Sequence, residues 1–402
     1  MSDVPWQQSV GFSERMAVVD QIAASLESAD AQLLRPEAML RAQQEESRCM
    51  AAAATKEDYI RLWKARLLSL QQAAARPQSE DDSDSLTKFP ADEPTQTIGP
   101  YKTAVPFESG IFSTIFKAMP TMTTVGSKRS LVALKVTVTS MSQPPHNAKR
   151  EARLLALAAD HDNIISVLET FTLPPSTFVM VLPFLPRTLA SLLSERLITP
   201  LRLPSIIHGI LTGVAHLHSL GILHRDIKPS NILFSSPTSG PKIADLGIAW
   251  HADDPDCEPA DDKITDVGTT SYRAPELLFG YRSYGTGVDM WALGCVIAEC
   301  LHPEHEAFFD AGDLGSELQL VASIFQKLGT PDTHSWPESR ELPDFGKIMF
   351  HQRPKQEWEQ LLPCASTDAR DLVGSLLVYQ GSDRLSAKDA LDHRFFDGAR
   401  AD

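Results

Sequence analysis

"GILHRDIKPSNILF", residues 221–234, sets an Asp, a Lys and an Asn at positions 226, 228 and 231 between two apolar runs. Ile222 and Leu223 precede them, and Ile232, Leu233 and Phe234 follow. Apolar flanks pull their neighbours toward a core, where an ionised group is costly unless it is paired or meets a ligand. A solvated turn between two buried strands is the plainest explanation of such a stretch. Whether Asp226, Lys228 and Asn231 form a turn or part of a site depends on what the rest of the chain brings to them.

The chain has 402 residues, 43% of them hydrophobic and 22% charged, as in an ordinary globular protein. No apolar stretch reaches the roughly 18 residues of a membrane span, and no secretory signal opens the chain. The five cysteines (49, 257, 295, 300 and 364) lack a CxxC spacing, so free thiols in a reducing compartment are expected, and no zinc site. A net charge of −15 argues against a nucleic-acid partner bound through a basic surface. No membrane partner is expected either.

Residues 12–75 carry helical periodicity, with Val18, Ile22, Ala23 and Leu26 in one stripe and Tyr59, Leu62, Trp63, Leu67 and Leu70 in another. Thr55 and Asp58 suit a capping box. The stripes fit either a partner-binding arm or a face packed on the main domain. Residues 77–99 are rich in Pro, Ser and acids and read as a linker. From Tyr101 onward "SLVALKVTVT" (130–139) and "FVMVLPF" (178–184) read as strands. "NAKREARLLALAAD" (147–160) reads as a helix with Ala152, Leu155 and Ala159 on one side. Ile207, Ile210, Leu211, Val214 and Leu217 mark a long amphipathic helix, and "VDMWALGCVIAEC" (288–300) is apolar nearly all round, as a buried central helix would be. A strand-rich lobe thus precedes a helical one, with room for a ligand cleft between them.

Eleven residues after Asn231, "KIADLG" (242–247) ends a short apolar strand at Asp245, and "SYRAPELLFG" (271–280) follows. Upstream stand Lys135 in "VALK" and Glu151 in a helix. In this order the set resembles the protein kinase superfamily over residues 101–396. The resemblance implies an α+β bilobal fold: a five-stranded antiparallel N-lobe with one helix and a larger helical C-lobe. It divides the chain into a helical extension (1–76), a linker (77–99) and a kinase domain (100–396), whose lobes meet at 183/184.

Transfer of the ATP γ-phosphoryl group spreads negative charge that must be positioned and neutralised, with Mg²⁺ bound by hard oxygen ligands. By the resemblance, Asn231 and Asp245 hold Mg²⁺, Asp226 takes or orients the proton of the substrate hydroxyl, and Lys228 steadies the moving phosphoryl group. Lys135 meets the α- and β-phosphates and is held by Glu151. Leu182 lines the back of the adenine pocket, Ala133 packs on the ring, and the backbone of Pro183 and Leu185 bonds the base. Ile115 and Leu233 complete the nucleotide contacts. Asp289 is expected to hold the catalytic-loop backbone, and Glu276 to pair with Arg384; these are scaffold roles. The family's glycine-rich loop is degenerate here: in "ESGIFSTI" (108–115) only Gly110 remains, with Glu108 and Ser113 where glycines are expected. That departure leaves open an alternative, a pseudokinase or scaffold working through its N-terminal helices.

"YRAPELLFG" and "SELQLVASIFQKLGTPDTHSWP" (316–337) resemble the proline-directed group, and its cyclin-dependent branch most. Protein substrates bearing Ser or Thr follow, among them another cyclin-dependent kinase, and a cyclin is a candidate partner. In that group Arg273 captures the carbonyl of Gly268, whose positive φ costs glycine nothing. A substrate residue after the phosphoacceptor then finds no carbonyl for its N–H, and proline loses nothing. Thr269 is expected to bond Asp226 and Lys228. Six acids in "DDPDCEPADD" (253–262) lie where Arg225 would want a phosphate, and Thr265 is the only hydroxyl residue between Gly247 and Val267. The acids stand in for a phosphate, favour basic substrates, or form a solvated loop. Residence in the nucleus, the cytoplasm or both is expected.

Overall fold

A computed structural model describes residues 10–29, 35–74, 95–109, 113–120, 130–312 and 315–397. Three helices come first: α1 (Phe12–Ala29), α2 (Arg35–Ala52) and α3 (Lys56–Ala74). Thr55 Oγ1 accepts the N–H of Asp58 at 3.1 Å, capping α3. The apolar stripes pack on one another and not, as one expectation had it, on the main domain. Val18, Ile22 and Ala23 of α1 bury against Ala38 and Ala42 of α2 and Tyr59 and Trp63 of α3, in a core of their own. Burying the stripes against one another removes the need for an outside surface. Leu26, Leu62 and Leu67 are partly buried at its margin, and the side chain of Leu70 lies outside the described residues. Polar groups tie the bundle as well: Glu46 accepts from Arg15 and, at 3.0 Å, from the Tyr59 hydroxyl.

Residues 77–94 of the expected linker lie outside the described residues, but its end is ordered strand. Strand β1 (Gln96–Ile98) pairs antiparallel with β2 (Tyr101–Ser109), so the first lobe begins before residue 100. Next come β3 (Ser113–Ala118), β4 (Val132–Val138), α4 (Ala148–Leu157), β5 (Glu169–Leu173) and β6 (Thr177–Pro183). The sheet has six strands among the described residues, not the expected five, in the order β1-β2-β3-β4-β6-β5. The extra strand was hidden because "QTI" is too short and too polar for periodicity to register.

Alternation along the strands assigns two faces. Ile98, Phe116, Leu134, Val179 and Val181 form an outer core, while Ala133, Phe178, Met180 and Leu182 face the second lobe. Helix α4 is capped by Asn147, whose side chain accepts from the amides of Lys149 and Arg150. Its buried side differs from the expected Ala152, Leu155 and Ala159. Arg150, Glu151, Leu154 and Leu155 are buried, and Ala159 lies beyond the helix, exposed. Two charged residues displace alanine inward because each finds partners there, as described below.

The second lobe contains β7 (Arg187–Thr188), α5 (Leu189–Ser194), α6 (Leu203–Ser219), β8 (Ile232–Phe234), β9 (Lys242–Ile243), α7 (Pro275–Leu278) and α8 (Gly287–Leu301). It ends with α9 (Glu317–Leu328), α10 (Trp358–Leu361), α11 (Thr367–Leu376) and α12 (Ala387–Ala390). Every residue of α8 from Val288 to Cys300 is buried, as its uniform apolarity requires. The five cysteines are unpaired thiols. No described helix is long and apolar enough to cross a membrane.

Candidate active site

The pleat of β4 puts Ala133 and Lys135 on the cleft face, opposite Leu182 and Met180 of β6. Lys135 Nζ lies 2.7 and 2.8 Å from the two carboxylate oxygens of Glu151 on α4, and 2.7 Å from Asp245 Oδ1. Burial disfavours the ammonium, but Asp245 and Glu151 outweigh it and hold Lys135 above its ordinary range. The two carboxylates diverge. Burial pushes Glu151 up to about 7, while Lys135 holds the half-exposed Asp245 below the usual carboxylate range against its own desolvation.

The β8–β9 hairpin joins the next two residues. Asn231 immediately precedes β8 and Asp245 follows β9, and the Ala244 amide donates to the Asn231 carbonyl at 2.9 Å. The side-chain amide of Asn231 donates to the Asp226 carbonyl at 2.8 Å and to its Oδ2 at 3.1 Å. The amide nitrogen is thereby committed, and the oxygen remains for a cation. Asp245 takes φ +65° and Arg225 φ +67°, left-handed conformations that cost a non-glycine residue energy unless the surroundings enforce them. For Arg225 that enforcement comes from Asp289 in α8. Its carboxylate accepts the N–H groups of His224 (2.9 Å) and Arg225 (2.8 Å), and lies 2.9 Å from His218 Nε2. Burial opposes its charge, yet these neighbours keep Asp289 below the usual range.

Lys228 Nζ sits 2.9 Å from Asp226 Oδ2 and donates to Thr269 Oγ1 at 2.7 Å. Thr269 in turn gives both its N–H and its hydroxyl to Asp226 Oδ1, each at 2.9 Å. Asp226, Lys228 and Thr269 therefore form one closed polar unit across 43 residues of chain. Gly268, just before it, has φ +76°, and an added Cβ would meet the Arg225 carbonyl oxygen at 2.5 Å. Arg273 Nε donates to the Gly268 carbonyl at 3.0 Å, and its other nitrogens pair with Asp266 and Glu317. Glu276 and Arg384 meet in a two-pronged pair at 2.6 and 2.7 Å.

Around the nucleotide position, Ala133 and Leu182 are buried neighbours in register, and Pro183 pairs with Val132. Ile115 lies in register with Lys135, while Leu185 and Leu233 are partly buried against the main core. Gly110 lies outside the described residues; Glu108 closes onto Ile115 across a bulge at Pro106–Glu108. Sequence reasoning missed Phe107, whose ring meets Phe184 edge-on at 4.9 Å between β2 and the segment after β6. It also missed His218, His224 and Tyr284. Local spacing does not mark His218 or Tyr284, whose partners lie 71 and 59 residues away; His224 bonds the Asp226 N–H two residues on, but its second bond, to the Ala244 carbonyl, lies 20 residues away.

A strand lysine held by a helix glutamate, an Asn–Asp pair of oxygen ligands and an Asp–Lys–Thr unit between two lobes define a phosphoryl-transfer site. The comparisons agree. The protein kinase domain model matches residues 107–396. The chain is 36% identical over 257 residues to cyclin-dependent kinase 20 of Danio rerio, covering 63% of this chain and 71% of that one. It is 35% identical over 257 residues to the serine/threonine-protein kinase csk1 of Schizosaccharomyces pombe, covering 63% and 82%. With cyclin-dependent kinase B1-1 of Arabidopsis thaliana it shares 34% over 309 residues, 72% and 94%. The chain belongs to the protein kinase family, as a cyclin-dependent-kinase-like serine/threonine kinase that works with ATP and Mg²⁺. The scaffold alternative finds no support in these likenesses. The donor set fits the cofactors: a carboxylate and an amide oxygen suit Mg²⁺, and a buried ammonium suits phosphate. Bound Mg²⁺ neutralises phosphate charge and polarises the transferred group.

Proposed function

We propose that this kinase phosphorylates Ser or Thr followed by Pro. The contact between Arg273 Nε and the Gly268 carbonyl carries the reading. That carbonyl, on a residue at positive φ, is already engaged by Arg273 and so is not offered to a substrate N–H. An ordinary residue after the phosphoacceptor would leave its N–H unbonded on docking, a cost of about 1–3 kcal/mol that proline escapes.

In this reading Asp226 accepts a hydrogen bond from the substrate hydroxyl and takes its proton, while Lys228 steadies the transferred group. Thr269 ties both to the Gly268 turn. Asn231 and Asp245 would hold Mg²⁺, and Lys135, braced by Glu151, would meet the nucleotide phosphates. Ala133, Leu182, Ile115 and Leu233 enclose the base, and the backbone of Pro183 and Leu185 bonds it. The substrate is a protein bearing Ser or Thr, with another cyclin-dependent kinase as one candidate, and a cyclin is a candidate partner because relatives carry the name cyclin-dependent kinase. Unpaired thiols suit the nucleus or cytoplasm.

The test is a peptide array phosphorylated by the full chain with Mg-ATP, with Asp226→Ala as control. Incorporation concentrated on Ser-Pro and Thr-Pro peptides supports the reading. Equal labelling of peptides with and without that proline overturns it.

A further inference from the structure

Arg225 follows the catalytic loop's His224, and its guanidinium is fully buried. Nε donates to the Ile248 carbonyl, and Nη1 lies 3.0 Å from both the Tyr284 hydroxyl and Glu258 Oε1. Glu258 comes from the acidic run after the DLG segment. Its Oε1 also accepts the Ile264 amide at 3.3 Å, and its carbonyl accepts Trp250 Nε1 at 2.8 Å. Lys263 covers the same place, 4.5 Å above the Trp250 ring and 5.2 Å from that of Tyr284. Glu258 Oε2 and Arg225 Nη2 have no hydrogen-bond partner among the described residues, so the pair is a single-point contact held by charge.

The same run reaches the other way. Arg153 of α4 grips Asp254 with two hydrogen bonds of 2.9 Å and Asp256 with one of 2.6 Å. Asn147, which caps α4, donates to Asp256 at 3.2 Å, and Arg150 donates to the carbonyls of Asp256 and Gly247. Five residues, 254–258, thereby connect the arginine of the catalytic loop to the helix that carries Glu151. Thr265 is elsewhere: it borders a cavity of about 480 Å³ beside Leu277, Leu278, Gly280 and Glu317, and is not among the partners of Arg225.

We propose that Glu258 is the permanent counter-ion of Arg225, and that with Asp254 and Asp256 it holds α4 and the activation segment in working position without a phosphate on Thr265. A phosphate brings more charge than one carboxylate, but here it would have to displace an acid already seated on a buried guanidinium. Removing that acid strands the guanidinium in the core. Burial raises the Glu258 carboxyl, yet Arg225 keeps it below its ordinary range, so the counter-ion is charged at neutral pH.

The inference rests on the kinase assignment but not on the proline preference, so Ser-Pro and Ser-Ala peptides are assayed in parallel with Mg-ATP. Full-length chain is treated with a protein phosphatase, shown unphosphorylated by mass spectrometry, and compared with Thr265→Ala, Glu258→Gln and Glu258→Asp. The dephosphorylated chain and Thr265→Ala are expected to keep kcat/KM within about twofold, Glu258→Gln to lose at least about tenfold, and Glu258→Asp to recover part of it. Partial rescue by the shorter acid separates a charge role from simple packing. If Glu258→Gln does not fold, the double variant Asp254→Asn/Asp256→Asn, altered at the outer contacts, is expected to lose several-fold in kcat/KM with an unchanged Tm. Loss of activity on phosphatase treatment or in Thr265→Ala overturns the proposal. So does wild-type kcat/KM in Glu258→Gln or, where that variant does not fold, in the double variant. A loss of selectivity between the two peptides with these ratios intact would count against the proline reading alone.

Discussion

Asp289 Oδ1 accepts the backbone N–H of Arg225 at 2.8 Å, joining the central helix to the loop that carries Asp226. The second oxygen takes the His224 N–H and faces His218. Asn at 289 has one acceptor oxygen, and its NH2 would face a main-chain donor. Asp289→Asn is expected to cost about 2–4 kcal/mol of stability and to lower kcat more than the ATP KM. Denaturant unfolding and steady-state kinetics check this; an unchanged midpoint would remove Asp289 as the loop's anchor.

Arg273→Lys keeps the charge but loses the fixed fork that reaches Gly268, Asp266 and Glu317 together. The ratio of kcat/KM for Ser-Pro over Ser-Ala peptides is expected to fall about tenfold, the loss of one well-aimed hydrogen bond. An unaltered ratio would show that the turned carbonyl is held by something other than this side chain.

Arg384 is fully buried, donates to the carbonyls of Gly287, Val378 and Tyr379, and lies 5.0 Å from the Trp291 ring. Arg384→Ala strands Glu276 and is expected to destabilise the fold by about 3–5 kcal/mol. Replacing Arg384 and Glu276 together by Met and Leu should cost less than the single change, because no charge is then left behind. Chemical denaturation of both variants decides it.

Glu299, buried in α8 beside Tyr272, is pushed by burial from 4.5 up to about 7, although the Tyr272 hydroxyl donating at 2.7 Å works against the rise. The folded chain therefore binds this proton more tightly than the unfolded chain. The residue costs nothing below pH 4.5, costs progressively more as the pH rises to about 7, and carries its full cost above. Glu299→Gln is expected to gain on the order of 3 kcal/mol at pH 8, a gain that shrinks as the pH falls through 7 toward 5, where the folded carboxyl is protonated. Tm measured across that range tests the sign; an equal gain at both ends would point to packing instead.

Much of the site could be read from the chain's order of residues. The polar side chains at 226, 228 and 231 sit within one turn of loop, and Asp245 ends the next strand, so a local hairpin suffices to join them. Gly268 was legible only through the resemblance to the proline-directed kinases; the structure supplies the reason, a carbonyl 2.5 Å from a would-be Cβ. The apolar all-round helix at 288–300 could only be central.

Other features depended on distant partners. Whether Arg150 and Glu151 point inward was decided by Gly247, Asp256 and Lys135, not by the spacing of alanines along α4. The N-terminal stripes close on one another because three helices of similar length can bury them mutually. A three-residue strand, Gln96–Ile98, exists only because β2 offers it an edge. Glu258 was one acid among six until the fold placed it against Arg225. The sequence alone determined which chemical groups the protein owns and which lie close along the chain. Only the tertiary structure decided which charges are buried and paired, because desolvation and ion pairing depend on neighbours that sequence distance does not encode.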